Sequence, residues 1–302
     1  MYLQSLEIAA QHQLPAPNLG ERVGEWTREL LPRSGQFIGI EFDRQVVKFL
    51  VVRRRRKREW VHSLKVKMLA TPDWEAFQIA LTECVQHAGI KRGAHAVIAL
   101  PLNLVHTRYV KLPAGPPREL RQMIRYHLPR EMPLSPEEMV YDFRVLETDE
   151  QGHARVLVFL ARKDDVQTYI ELCRAAGLVV DAVRVSAEAV YRSFMRLFEA
   201  EPDIRSKYLT VVDVDFSSVK VLFIDRGELA ICRHVPMGVA NFADSLIDGS
   251  RQDAYGLWSQ GLAQSIHQTV TLVRRELGER EVQQVFLSGW LPRAETLMAN
   301  LR

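Results

Sequence analysis

The sequence predicts an α/β protein of two related halves with an α+β module set between them. Apolar runs with strand alternation and runs with helical spacing follow one another from about residue 37 onward. The stretch Glu41-Phe-Asp43-x-x-x-Val47-Lys48-Phe49-Leu50 returns as Asp213-Val-Asp215-x-x-x-Val219-Lys220-Val221-Leu222, with Arg54 falling on Arg226. Each copy opens a hairpin that is followed by helices, which points to duplication more than to two hairpins that are alike by chance.

Taken in order, residues 1–34 read as an N-terminal extension. Gln13-Leu-Pro-Ala-Pro-Asn-Leu-Gly20 is turn-rich, and a short helix is expected around Glu21 to Leu31. The first lobe is expected over 35–101, with strands at 37–43, 46–52 and 59–68, a helix begun by Pro72-Asp73 and ending near His87, and a strand from Ala96 to Leu100. The inserted subdomain is expected over 102–180. Its segment 104–112 alternates as a strand, Pro116 to Leu128 reads as a helix with proline in its first turn, and Val140 to Leu146 and Val156 to Ala161 are strands. A helix from Asp164 to Ala176 closed by Gly177, a strand from Leu178 to Val185 and a helix from Ala187 to Phe198 follow, with 181–206 returning to the first lobe. The second lobe, 207–302, repeats the first. It has strands at Tyr208 to Val214, Val219 to Asp225 and Leu229 to Val235, helices near Val239 to Ile247 and Gly256 to Leu277, and a strand from Gln283 to Leu287.

Composition excludes several classes. Lys+Arg 40 against Asp+Glu 37 is too balanced to indicate a nucleic-acid binder. Cys84, Cys173 and Cys232 are far apart and not grouped with histidines at ligand spacing, so neither a disulfide framework nor a zinc site is expected, and a reducing cytoplasm fits best. No apolar run approaches the roughly 18 residues of a membrane helix, and Met1 to Ala10 lacks the pattern of a signal peptide. His127, His234 and His267 are scattered and form no nucleophilic triad. Leu262, Ile266, Val270 and Val273 mark a core-facing helix. The run Arg53-Arg-Arg-Arg-Lys-Arg58 falls between two predicted strands, where a hairpin loop would project. A solvated turn is the usual fate of such a run. Its functional alternative is contact with an anionic membrane surface, and nucleic acid is disfavoured because no aromatic residues interleave with the arginines.

The segment Gly39-Ile-Glu-Phe-Asp-Arg-Gln-Val-Val-Lys48 resembles the first phosphate loop of the type IV pilus assembly proteins called PilM, usually G-[IL]-D-[IL]-G-x-x-x-[VI]-K. Val212-Asp-Val-Asp-Phe-Ser-Ser218 is similar to their second loop, and Val285-Phe-Leu-Ser-Gly289 to their adenosine-side strand and turn. Tyr126-His-Leu-Pro-Arg-Glu-Met-Pro133, Glu138 to Val145 and Tyr169 to Leu178 resemble the family's middle module. The resemblance covers roughly residues 35 to 290. It implies an actin-like (RNase H-like) duplicated fold, related to FtsA, with an inserted α+β subdomain and a truncated second lobe, as in the reduced form MshI of the MSHA pilus.

By that resemblance Glu41, Asp43, Lys48, Asp213, Asp215, Ser217, Ser218, Ser288 and Gly289 occupy the ancestral nucleotide loops. In the family the first acid of each loop, here Glu41 and Asp213, faces a metal and its waters. Both loop glycines are replaced, by Asp43 and Asp215, while Arg44, Phe216 and Trp290 stand where small residues are usual. A carboxylate about 4 Å from a phosphate costs about 4 kcal/mol at an effective dielectric near 20. The second acids are therefore expected to face solvent in turns that no longer bind phosphate, with no cofactor, ATP and magnesium being disfavoured, and no enzyme activity. The implied partner is the N-terminal peptide of a PilN-type membrane protein, in a groove between the first lobe and the middle module near Arg108, Tyr109, Arg121 and Arg125. The implied place is the cytoplasm, peripheral to the inner membrane through that partner. The alternatives are an ATP-binding PilM-type protein that uses the acids for metal, and a GspL-like cytoplasmic domain of a type II secretion system.

Overall fold

The computed structural model describes residues 34–56, 58–127, 135, 137–241, 254–277, 281–291 and 294–301. The expected linker at 13–20, the helix at 21–31 and most of the helix at 239–247 lie outside these residues, as do residues 128–133 of the middle-module motif.

The first lobe is a five-stranded sheet of order β3-β2-β1-β4-β8, from β1 (Ser34–Asp43), β2 (Val46–Arg55), β3 (Arg58–Met68), β4 (Ala94–Leu100) and β8 (Leu178–Val185). The second is a four-stranded sheet of order β11-β10-β9-β12, from β9 (Tyr208–Val214), β10 (Val219–Asp225), β11 (Glu228–Val235) and β12 (Gln284–Gly289). In each lobe the first strand pairs antiparallel with the second and parallel with the fourth. The duplication read from the residues is thus present in the strand order.

Alternation decides which face each residue takes. In the first lobe Ile38, Ile40, Phe42, Val47, Phe49 and Val51 turn to one core, packed under helices α1 (Trp74–His87) and α3 (Lys163–Ala175). Asp73 caps α1, accepting from the Ala76 N–H at 2.8 Å. Glu41 and Lys48 occupy the opposite face. In the second lobe β9 and β10 are buried on both faces, and this is why they read as continuous apolar runs. Val212, Val214, Val221 and Phe223 meet α6 (Ala254–Leu277), whose Leu262, Ile266 and Val273 are buried as their spacing requires. Leu209, Val211, Leu222 and Ile224 meet α4 (Ser186–Leu197) and the short α5 (Pro202–Ser206). Helix α7 (Ala294–Leu301) buries Leu297 in the α6 side of this lobe.

The middle module is a three-stranded sheet of order β5-β7-β6, from β5 (Val105–Pro113), β6 (Met139–Thr148) and β7 (His153–Arg162). Leu120 and Ile124 of helix α2 (Pro117–His127) complete its core with Val110, Leu112, Val156 and Val158. The module closes earlier than the expected boundary at 180. Helix α3 packs its Tyr169, Leu172 and Cys173 into the first-lobe core, and β8 extends the first sheet by pairing in parallel with β4.

The basic run also departs from expectation. It does not project as a loop, because β2 continues to Arg55 and β3 begins at Arg58. Arg53 lies opposite Trp60, Arg54 opposite Glu59 and Arg55 opposite Arg58, and the chain reverses at Arg56, whose φ of 58° is left-handed. Cys84, Cys173 and Cys232 are free and buried.

Candidate functional site

Hairpin register puts Glu41 directly opposite Lys48 in the first lobe and Asp213 directly opposite Lys220 in the second. Because these pairs lie on the sheet faces turned away from the α1 and α6 cores, the two lobes bring them together. Lys48 Nζ lies 3.2 Å from Glu41 Oε2 and 2.5 Å from Asp215 Oδ2. Lys220 Nζ lies 3.1 Å from Asp213 Oδ2, 3.0 Å from Asp215 Oδ2 and 3.1 Å from Glu41 Oε1. Each lysine therefore pairs with its own hairpin and with the other lobe.

Asp43 crosses the same junction. Its carboxylate accepts from the Ser217 N–H at 3.0 Å, from the Ser217 hydroxyl and, at 2.7 Å, from the Arg44 N–H. Asp43 is 8% exposed and Asp215 2%, which overturns the expectation that the second acids face solvent. A buried carboxylate persists only when it is paired or well hydrogen-bonded: Asp43 is held by these three hydrogen bonds, and Asp215 is paired with lysine. Asp215 takes two ammonium groups on Oδ2 and the Phe216 N–H at 2.9 Å on Oδ1.

Burial opposes charge on all three of these buried ions, and the partners overcome it. At Asp215 the ammonium groups of Lys220 and Lys48 hold the carboxyl down at about 2. At Lys48 the carboxylates of Glu41 and Asp215 hold the amine above the ordinary lysine range. At Lys220 those of Glu41, Asp213 and Asp215 raise it well above. Both amines are therefore held as ammonium ions at neutral pH. Among the described residues no group of three or more His, Cys, Asp or Glu is disposed to hold a metal ion. Glu41 and Asp213, the acids that would face a metal by family resemblance, are each in an ion pair with lysine.

The turn after β9 is closed from two sides. Asp215 N–H donates to the Ser218 carbonyl, and the N–H groups of Val239 and Ala240 donate to the carbonyls of Asp215 and Phe216. Gly238 lies so close that a Cβ there would collide with the Phe216 carbonyl and the Ser217 backbone. On the other side Ser288 pairs with Asp213, Gly289 at φ 93° packs on Val214, and the Trp290 N–H donates to the Val214 carbonyl at 2.8 Å. The ring of Trp290 then meets that of Phe216 edge-on, with centroids 5.9 Å apart. Two bulky rings thus lie between the second loop and the turn after β12.

The four residues expected around a partner groove are not all brought together. Arg121 and Arg125 are exposed one turn apart on α2, and by alternation Arg108 shares the face on which Val110 and Leu112 meet that helix. Arg121 sits over the rings of Tyr141 and Phe143 and pairs with Asp142 at 3.0 Å. Tyr109 lies on the other face of β5. Its hydroxyl donates to the Ala230 carbonyl of β11, Arg155 covers its ring at 4.8 Å, and burial pushes its phenol pKa far up. It ties the middle module to the second lobe, assisted by Thr107, which donates to the Cys232 carbonyl at 3.1 Å.

Lys220 is the site residue missing from the set named by sequence. The signal was present, since the repeat that matches Glu41 with Asp213 also matches Lys48 with Lys220. Ser217 was named as a loop residue, but its bond to Asp43 depends on how the lobes pack, which no local pattern encodes.

The family model described as Type IV pilus assembly protein PilM matches residues 39–260, well over half of the chain. The chain is similar in structure to a solved PilM-PilN type IV pilus biogenesis complex, with TM-score 0.72, 21% identity and coverage of 89% of this chain and 87% of that one. It is also similar to a Bacteroides thetaiotaomicron protein of actin-like ATPase fold and unknown function, with TM-score 0.50, 13% identity and coverage of 89% and 88%. A more distant likeness, to the cytoplasmic domain of EpsL from the Vibrio cholerae type II secretion system, has TM-score 0.47 at 13% identity, with coverage of 88% and 94%. No curated protein matches the sequence. The fold is actin-like.

Proposed function

This chain belongs to the PilM family of type IV pilus assembly proteins, and we propose that it acts there as a non-catalytic adaptor that binds the N-terminal tail of a PilN-type inner-membrane protein. The observation that carries this reading is the crossed pairing of Lys48 with Asp215 and of Lys220 with Glu41. In an actin-like fold the two hairpins hold phosphates through backbone N–H groups that glycine leaves accessible. Here the lysines pair with the protein's own acids. Four carboxylates, of Glu41, Asp43, Asp213 and Asp215, against two ammonium groups leave two negative charges uncompensated at the junction, and each would repel a phosphate charge by about 4 kcal/mol at roughly 4 Å. The Phe216–Trp290 ring contact, between the second loop and the turn after β12, supports the same reading. We therefore read the nucleotide site as converted into a fixed lock between the lobes, leaving protein binding as the function.

The PilN-type partner is favoured by family membership and by the solved relative in complex with PilN. The exposed arginines of α2 offer donors to the carbonyls or acidic groups of an extended peptide. The replaced loop glycines and the short stretch between Gly238 and α6 favour the reduced, MSHA-like branch of the family. In this reading the protein works on the cytoplasmic face of the inner membrane, reached through its partner. Calorimetric titration with a PilN-type N-terminal peptide tests it. Binding to the wild type that is lost in Arg121→Glu/Arg125→Glu is the expected result, and unchanged affinity in that variant would move the groove elsewhere.

A further inference from the structure

We propose that the outer edge of the first lobe, strand β3 with the tip of the β2–β3 hairpin, is a docking surface for an anionic lipid bilayer. β3 is the outermost strand of its sheet, and among the described strands it pairs only with β2. Its 11 residues span roughly 35 Å at about 3.3 Å per residue. Its exposed side chains are apolar or basic. Trp60, Val61, Leu64 and Met68 are 45–55% exposed, with Arg58 exposed at the start of the strand and His62 and Lys65 exposed among them.

The one acid of the strand, Glu59, is withdrawn. Its carboxylate lies 3.0 Å from Arg54 Nε, with side-chain exposures of 2% and 12%. This pair withdraws the strand's own acid and leaves Arg55, Arg56 and Arg58 exposed at the tip, while Glu83 of α1, which also reaches β3, is paired with Lys67 at 2.8 Å. Trp60 and Val61, being consecutive, emerge on opposite sides of the sheet, and the extra residue His62 opposite Val51 and Val52 keeps Val61 on the same side as Leu64 and Met68. A bilayer approached edge-on can therefore receive both.

Basic residues beside an indole and aliphatic side chains are the chemistry of a membrane interface. The cations meet lipid phosphates while the tryptophan settles at headgroup depth. An acidic peptide added to the strand edge would also meet the arginines, but it would give no role to half-exposed apolar side chains on both sides of the strand. No helix among the described residues is long and apolar enough to cross a membrane, so this contact is peripheral. It is independent of nucleotide and of the partner peptide.

The test is flotation of the full chain, without partner, with vesicles of phosphatidylcholine alone or with 30% phosphatidylglycerol (about one anionic lipid in three, a composition of bacterial type). Wild type should float with the anionic vesicles, at least about tenfold more than with neutral ones, and the excess should vanish at high salt. Arg55→Gln/Arg56→Gly/Arg58→Gln should bind about 100-fold more weakly, each arginine being worth a factor of about five. Trp60→Ser/Leu64→Ser should weaken binding several-fold while keeping its dependence on salt and on anionic lipid. Thermal melting separates loss of binding from loss of fold. Equal flotation with both vesicles, no flotation of folded wild type, or capture of a poly-glutamate peptide in place of vesicles would overturn the proposal. Peptide capture would assign the edge to an acidic protein segment.

Discussion

The two hairpins carry matching acids and a matching lysine in the same register but differ in what surrounds them. Lys48 is 24% exposed at its side chain and Lys220 5%, Glu41 23% and Asp213 12%. The cause lies in the sheets. The β9–β10 hairpin is covered on both faces, by the α6 core and by the α4 and α5 core, whereas among the described residues β1–β2 has helices on one face only. One pattern of acid and lysine therefore gives a deeply buried ion pair in one lobe and a partly solvated one in the other. The duplicated charges are equivalent in sequence and unequal in cost.

Removing the two lysines in turn is the sharpest way to break that comparison. Lys220→Met leaves Glu41, Asp213 and Asp215 with Lys48 as their one remaining ammonium, and should destabilise by about 3–5 kcal/mol in urea unfolding. Lys48→Met should cost less, about 1–2 kcal/mol, because solvent already screens part of its pairing. Equal losses would mean that burial does not distinguish the lobes.

Acid acts on the same lock. The Asp215 carboxyl is held at about 2, below its ordinary 3.8, so the folded state binds its proton more weakly than the unfolded state does. The resulting stabilisation, about 2 kcal/mol, is complete above pH 4 and is lost as pH falls from about 4 through 2. Unfolding monitored between pH 5 and pH 2 should show this loss in wild type, and a much shallower one in Asp215→Asn.

Smaller effects belong to the middle module. Tyr109→Phe should cost about 1–2 kcal/mol, since it leaves the Ala230 carbonyl without its donor. Arg121→Glu/Arg125→Glu should cost about 1 kcal/mol or less, because both side chains are exposed and their ion pairs are solvated. Thermal unfolding of the two variants, side by side, shows whether the face toward β11 is structural and the α2 face free for a partner.

Much of the fold was legible because alternation and the internal repeat are local signals. The bounds expected for β8, β9 and β10 are those observed. The partner of β8 was not legible, since its parallel pairing with β4 spans the whole inserted module, and local pattern alone extends the module past its observed end. The ends of β2 and β3 were set too short because a run of arginines has no apolar period to mark a strand. In the site, the acids and lysines were visible as residue types, and the repeat even aligned Lys220 with Lys48. That Asp43 and Asp215 are buried was not visible. Carboxylates are seldom buried unless paired, and their partners, Ser217 for one and Lys48 for the other, come from the opposite lobe.

Calorimetric titration of the full chain with ATP and magnesium tests the closed junction most directly. With the lysines committed to Asp215 and Glu41, and Phe216 against Trp290, no saturable heat is expected up to millimolar nucleotide, that is, Kd above about 1 mM. A Kd in the micromolar range would contradict it and would return the protein to the nucleotide-binding members of its family.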